Sequence, residues 1–275
     1  MWEIVQFLFP PFIACLTLVG IHGYLGIHVL QREIIFIDIA LAQISAVGST
    51  VAFILWDKDE HTFIAYLCAL CFSLLAAAFF SSIRKKVTQI HQEAVIGVSY
   101  AIAAALALFL MAMAAGAEIH LEHMLTGSIL WAKWSDILPC AGVYAAIGVF
   151  HYIFRDKFRK ISWSYQEAIK EGINVELWDF LFYATFGIVV THSVRIAGVL
   201  VVFALLIIPS TISAMFTEDW SKRIGIAYTV GVIVTMFGLA FSYVFDFSCG
   251  PSVVTLLGAA LIVAALINKL RPARV

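Results

Sequence analysis

The sequence predicts an all-α, polytopic membrane protein with about eight to nine transmembrane helices, and three observations carry that expectation. Of its 275 residues 63% are hydrophobic and only 13% are Asp, Glu, Lys or Arg, with a mean hydropathy of +0.98, well beyond the composition of a soluble domain. Apolar runs near the ~20 residues that cross a bilayer as a helix recur along the chain. Basic residues gather at alternate run ends, which gives the runs an orientation.

The candidate runs are Ile4 to Leu30, Ile34 to Trp56, Thr62 to Ile83, Ala94 to Ala115, Ile137 to Phe154, Leu177 to Val190, Val194 to Phe216, Ile224 to Phe245 and Ser252 to Ile267. The first has no basic region ahead of it in Met1-Trp2-Glu3, so it reads as a span and not as a cleaved signal peptide. Leu177 to Val190 is short, which is why the count is a range. The longest polar break, Arg155 to Glu176, has room for a loop with one helix, so residues 1–275 read as a single transmembrane domain.

When the runs alternate, Arg32, Arg84-Lys85-Lys86, Arg155 with Lys157, Arg159 and Lys160, Lys222-Arg223, and Lys269 with Arg271 and Arg274 all fall on one side. That side is cytoplasmic by the positive-inside rule. The opposite loops carry Asp57-Lys58-Asp59-Glu60-His61, Glu118-Ile119-His120-Leu121-Glu122-His123 and Asp246, with Lys133 and Arg195 as exceptions. A net charge of -1 gives no field for nucleic acid.

Charge at bilayer depth survives mainly where it lines a pathway, which singles out Asp38, just inside the second run. A carboxylate snorkelling to the interface is the competing explanation. His22 and His28, six apart, do not share a helix face and fit hydrogen bonding between helices. His61 with its acidic neighbours, and Glu118, His120, Glu122 and His123, have the side chains of a zinc or manganese relay at the outer mouth, although acidic loops are also commonly just solvated. His192, at an outer helix end, is comparable. The five cysteines are dispersed, and Cys68 and Cys71 lie at lipid depth without the flanks of a redox or zinc pair, so they read as small core side chains.

The segment from Tyr165 to Ile173 is a polar island between apolar runs. As a helix it puts Tyr165, Ala168, Ile169 and Ile173 where they can enter a groove and leaves Lys170 and Glu171 in water, which fits either a docking element or a plain connector. No Gly-x-x-x-x-Gly-Lys-Ser/Thr occurs, so energy for any transport must come from a partner or from an ion gradient. His120-x-Glu122-His123 is too compact for the His-Glu-x-x-His spacing, which weakens a membrane-embedded metalloenzyme. Small residues at Ala76 to Ala78, Ala103 to Ala105 and Gly258 to Ala260 suit a tightly packed bundle or a homodimer.

Four stretches, Val194 to Pro209, Leu125 to Leu130, Ser242 through Pro251 and Gln92 to Gly97, together resemble the ABC-3 family, the membrane permeases of bacterial zinc, manganese and iron ABC importers. The resemblance covers nearly the whole chain. It implies a permease of the bacterial inner membrane that is not itself an enzyme, pairs with a second copy of itself among membrane lipid, and receives metal from an extracytoplasmic solute-binding protein. It also implies a coupling helix within 164–174, with Gln166, Glu167, Ala168, Ile169 and Gly172, seated in a cytoplasmic ABC ATPase subunit. The cargo implied is a divalent metal, zinc or manganese before iron, with no cofactor held permanently and no nucleic acid bound. Many family members have an Asp and, four residues on, a His in the second helix. This sequence departs from that pattern: Gln43 stands where the His is expected, Ile39 where the Asp is, and Asp38 one position earlier. The path residues implied are therefore Asp38 and Gln43, with His192 behind them. A gradient-driven secondary transporter remains the main alternative, although no internal repeat is apparent.

Overall fold

In the membrane interior every backbone polar group must be satisfied within the chain, and helices do so segment by segment. The computed structural model, which describes residues 2–56, 63–86, 89–112, 127 and 129–270, is helical almost throughout and has no strand among those residues. In order the helices are α1 Trp2–Gln31, α2 Ile37–Leu55, α3 Phe63–Lys86, α4 Gln92–Ala112, α5 Trp134–Ile153, α6 Arg155–Trp163, α7 Tyr165–Lys170, α8 Val175–Ala197, α9 Val199–Phe216, α10 Trp220–Phe245 and α11 Cys249–Leu270, with a single 3-10 turn at Ile129–Trp131. Among the described residues nine are long and apolar enough to cross a membrane, all except α6 and α7. Their outward faces are as apolar as their cores: Val98, Ile102 and Phe109 of α4 and Phe237 and Val244 of α10 are exposed, as side chains that meet lipid would be.

The helix ends differ from the apolar runs where side-chain chemistry intervenes. The sixth run does not stop at Val190, because the polar residues that follow bond back to their own helix. Thr191 donates to the Gly187 carbonyl at 2.8 Å, and Ser193 to that of Val189 at 2.7 Å. Helix α8 therefore continues to Ala197, a full-length span of 23 residues. The break falls at Gly198, whose φ of 78° is open to glycine and costly for other residues, and α9 starts at Val199 instead of Val194.

The chain contacts divide into two units. The first comprises Met1–Leu30, His123–Tyr144 and Arg195–Val275. Within it α9, α10 and α11 pack on one another. Helix α1 comes so close to α9 that a Cβ on Gly26 would lie 2.0 Å from the Leu206 carbonyl oxygen. Gly127 packs against Ala197 and Gly198, which joins two of the stretches that carry the family resemblance.

The second unit comprises Gln31–Glu122 and Ala145–Val194. Here α2 packs on α3 and α4, with Val47, Ala103 and Ala107 at the contact. Helix α6 is amphipathic and buries Phe158 and Ile161. The Phe158 ring stacks 4.2 Å from His151 and sits edge-on to Trp178 at 5.4 Å. That aromatic seat fixes α6, and with it the start of α7, against α8.

Candidate functional site

Asp38 lies in the first turn of α2 and is buried, so the carboxylate does not snorkel to the surface. Neither of its oxygens has a side-chain partner or a well-formed hydrogen bond among the described residues; the groups near it are the backbone N–H groups of Ile39 and of Asp38 itself. A buried carboxylate inside a span is costly to keep, and such groups mark sites of function. Gln43 is also buried in α2. At five residues' separation the two side chains leave the helix about 140° apart, so one ion cannot bind both from a single face of α2. Two residues on, the Ser45 hydroxyl lies 3.2 Å from that of Thr191 in α8.

His192 is half-buried on α8. Its Nδ1 donates to the Ile188 carbonyl at 3.2 Å, which leaves Nε2 to accept from the Tyr66 hydroxyl at 3.4 Å. That arrangement orients the ring. Among the described residues no three His, Cys, Asp or Glu side chains converge to hold a metal. His61, Glu118, His120, Glu122 and His123 lie outside the described residues. His22 and His28 are core residues of the first unit. The Nδ1 of His22 donates to the Leu18 carbonyl at 2.9 Å, and the ring of His28 packs edge-on to Tyr24 and Trp220.

The polar break from Arg155 to Glu176 holds two short helices instead of the one expected, because Ser164 parts α6 from α7. The island is α7 and the turn after it, with Gln166, Glu167, Ile169 and Lys170 exposed. Ala168 is different. It is fully buried and faces the protein, so it seats α7 and is not open to a partner. The Ile173 N–H donates to the Ala168 carbonyl and the Gly172 N–H to that of Ile169, both at 3.0 Å. This closure needs Gly172 at a φ of 76°. A bond from Lys160 to Glu171 ties the end of α7 back to α6.

Beneath α7 lies a cluster that the sequence pattern did not single out. Asp179, buried near the start of α8, accepts from Arg32 at 2.6 Å and from Arg84 at 2.9 Å and 3.1 Å. Arg32 also donates through Nε to the Ser162 hydroxyl of α6 at 2.8 Å. The guanidinium of Arg84 sits 4.2 Å over the Tyr165 ring. Burial pulls the Arg32 guanidinium below its ordinary value and Asp179 opposes that pull, so the group remains charged. Burial first, and then Asp179, holds the Tyr165 phenol above its usual value, which keeps it neutral. Both arginines were visible only as orientation markers. The available signal was Asp179 itself, an acidic residue inside an apolar run.

Residues 4–268 match the ABC 3 transport family. The chain belongs to that family. Similar proteins include the manganese transport system membrane protein MntC of Listeria monocytogenes, 24% identical over 249 residues that cover 90% of this chain and 86% of the relative. The high-affinity zinc uptake system membrane protein ZnuB of Haemophilus influenzae is 23% identical over 267 residues, 97% of this chain and 99% of the relative. Among solved structures, PsaBC from Streptococcus pneumoniae in complex with Fab superposes with a TM-score of 0.79 at 23% identity, over 95% of this chain and 93% of that one. That superposition establishes the fold. As an ABC-3 family member with nine spans among its described residues, the chain is a multi-pass membrane transport protein.

Proposed function

We propose that this chain is the permease subunit of an ATP-driven importer of a divalent metal, zinc or manganese, in the bacterial cytoplasmic membrane. The observation that carries this reading is the family match across residues 4–268 of a chain with nine spans among its described residues, whose α2 holds the buried Asp38 with no side-chain partner among those residues. Relatives named for manganese and for zinc transport support the choice of cargo. Two copies form the path. A solute-binding protein delivers the metal at the outer face, where His61, Glu118, His120, Glu122 and His123 relay it inward.

Asp38 is the first ion contact proposed, a hard oxygen ligand whose charge offsets the lost hydration of the cation. Gln43 supplies a neutral carbonyl oxygen where the family pattern has an imidazole, and His192 is a further contact. With no phosphate-cradling motif of its own, the chain takes its energy from an ABC ATPase. Gln166, Glu167 and Ile169 on the exposed side of α7 dock that subunit, Ala168 anchors α7 from beneath, and Gly172 ends it. ATP binding and hydrolysis then switch the bundle between two packings.

Metal uptake by vesicles holding the permease with its ATPase, comparing wild type with Asp38→Ala, tests the reading. Uptake should require ATP and should fall at least ~10-fold in the variant, the scale of a lost charge contact. Uptake driven by a proton gradient without ATP would refute the importer assignment, and unchanged uptake in the variant would remove Asp38 from the path.

A further inference from the structure

The Asp179 cluster joins several elements of the second unit. One carboxylate in α8 holds Arg32, in the turn that leads into α2, and Arg84 in α3. Through Arg32 it reaches Ser162 of α6, and through Arg84 it reaches the Tyr165 ring of α7. Arg32 also lies 3.9 Å over the Phe182 ring, one turn along α8. Replacing a buried ion cluster by apolar side chains of similar volume is often neutral or stabilising, so such a cluster points to a role in specifying an arrangement.

The surroundings are not packed shut. A cavity of about 430 Å³ borders the cluster, lined by Arg32, Glu33, Arg84, His91, Gln92 and Tyr165 among others. Three of these residues carry buried polar atoms with no hydrogen-bond partner among the described residues: Arg32 Nη2, Gln92 Oε1 and the Tyr165 hydroxyl. Space beside α7 and unspent hydrogen-bonding groups around that space are what a second arrangement of the same side chains needs.

We propose that Asp179 is a positioning residue that transmits displacement of α7 to the turn ahead of α2 and to the end of α3, by exchanging partners among Arg32, Arg84 and, through them, Tyr165. This rests on the reading of α7 as the ATPase contact. When α7 shifts, the Tyr165 ring draws Arg84, and the shared carboxylate passes the shift to Arg32 and so to the turn that leads into α2 and Asp38. Charged hydrogen bonds are directional, so the junction has discrete settings and does not yield continuously.

The test uses the whole transporter in proteoliposomes and reads metal taken up per ATP hydrolysed, together with retention of the ATPase on the permease. Asp179→Asn should retain the ATPase and its hydrolysis while uptake per ATP falls about tenfold, the size of a typical coupling between sites. Asp179→Glu should recover part of that ratio, which a purely structural defect would not do. Tyr165→Leu leaves the ion pairs whole and should lower the ratio in the same direction, so the proposal stays testable if Asp179→Asn does not fold. A wild-type ratio in either folded variant would overturn it. If Ile169→Asp leaves ATPase binding unchanged, the reading of α7 as the contact is what fails.

Discussion

Replacing Gly26 by alanine inserts one methyl group where α1 and α9 meet, and the cost can be worked from the contacts. The new Cβ would lie 2.0 Å from the Leu206 carbonyl oxygen and 2.3 Å from the Ser210 hydroxyl oxygen. Ser210 can rotate, but the carbonyl is backbone within a helix and cannot. Ordinary contact begins near 3.4 Å, so the two helices must part by about 1.4 Å locally. A gap on that scale forfeits much of the dispersion attraction along the interface, and packing is the main force between helices in lipid. Overpacking costs typically 1–3 kcal/mol, and a clash with rigid backbone belongs at about 3 kcal/mol, more than a hundredfold in the folded population. Gly20 is the control, since among the described residues no atom outside its own stretch of helix lies within 4 Å of the position its Cβ would take. Thermal unfolding of the detergent-solubilised protein should show Gly26→Ala clearly destabilised and Gly20→Ala unchanged or slightly stabilised. Equal midpoints for the two variants would refute the close approach of α1 and α9.

Two further substitutions separate conformational cost from contact loss. Among the described residues beyond its chain neighbours, a Cβ on Gly172 meets no atom within 4 Å, so the penalty of Gly172→Ala is that of a φ of 76°, about 1 kcal/mol; a small loss of stability in thermal unfolding and weaker ATPase binding in a pull-down of the complex are expected. Asp219 caps α10 by accepting from the Lys222 N–H at 2.9 Å, so Asp219→Ala should cost about 1 kcal/mol in chemical unfolding, and Asp219→Ser should restore most of it.

Composition and run length were enough to read the membrane-spanning class, because lipid leaves the backbone few choices and the signal is repeated in every span. Helix ends were read less well. Thr191, His192 and Ser193 look like a polar break in sequence, yet each bonds a carbonyl one turn back, and the real interruption is the single residue Gly198. The island at 165–173 was legible as a separate helical element from its polarity. The inward direction of Ala168 was not, since amphipathic spacing marks a face without saying what covers it. Asp38 stood out as a charge in an apolar run, and its burial decides between a snorkelling carboxylate and a buried one.

The sequence by itself determined that this chain crosses the membrane many times, which side its basic ends face by expectation, and which family its motifs resemble, because these depend on local composition and on short ordered patterns. Only the tertiary structure decided that Arg32, Arg84 and Asp179 share one buried site, although Arg32 and Asp179 lie 147 residues apart. Nothing local distinguishes an arginine that marks the cytoplasmic side from one that is drawn into the protein. That distinction depends on which helix ends the fold brings together, and on a carboxylate there to offset the desolvation of two guanidinium groups.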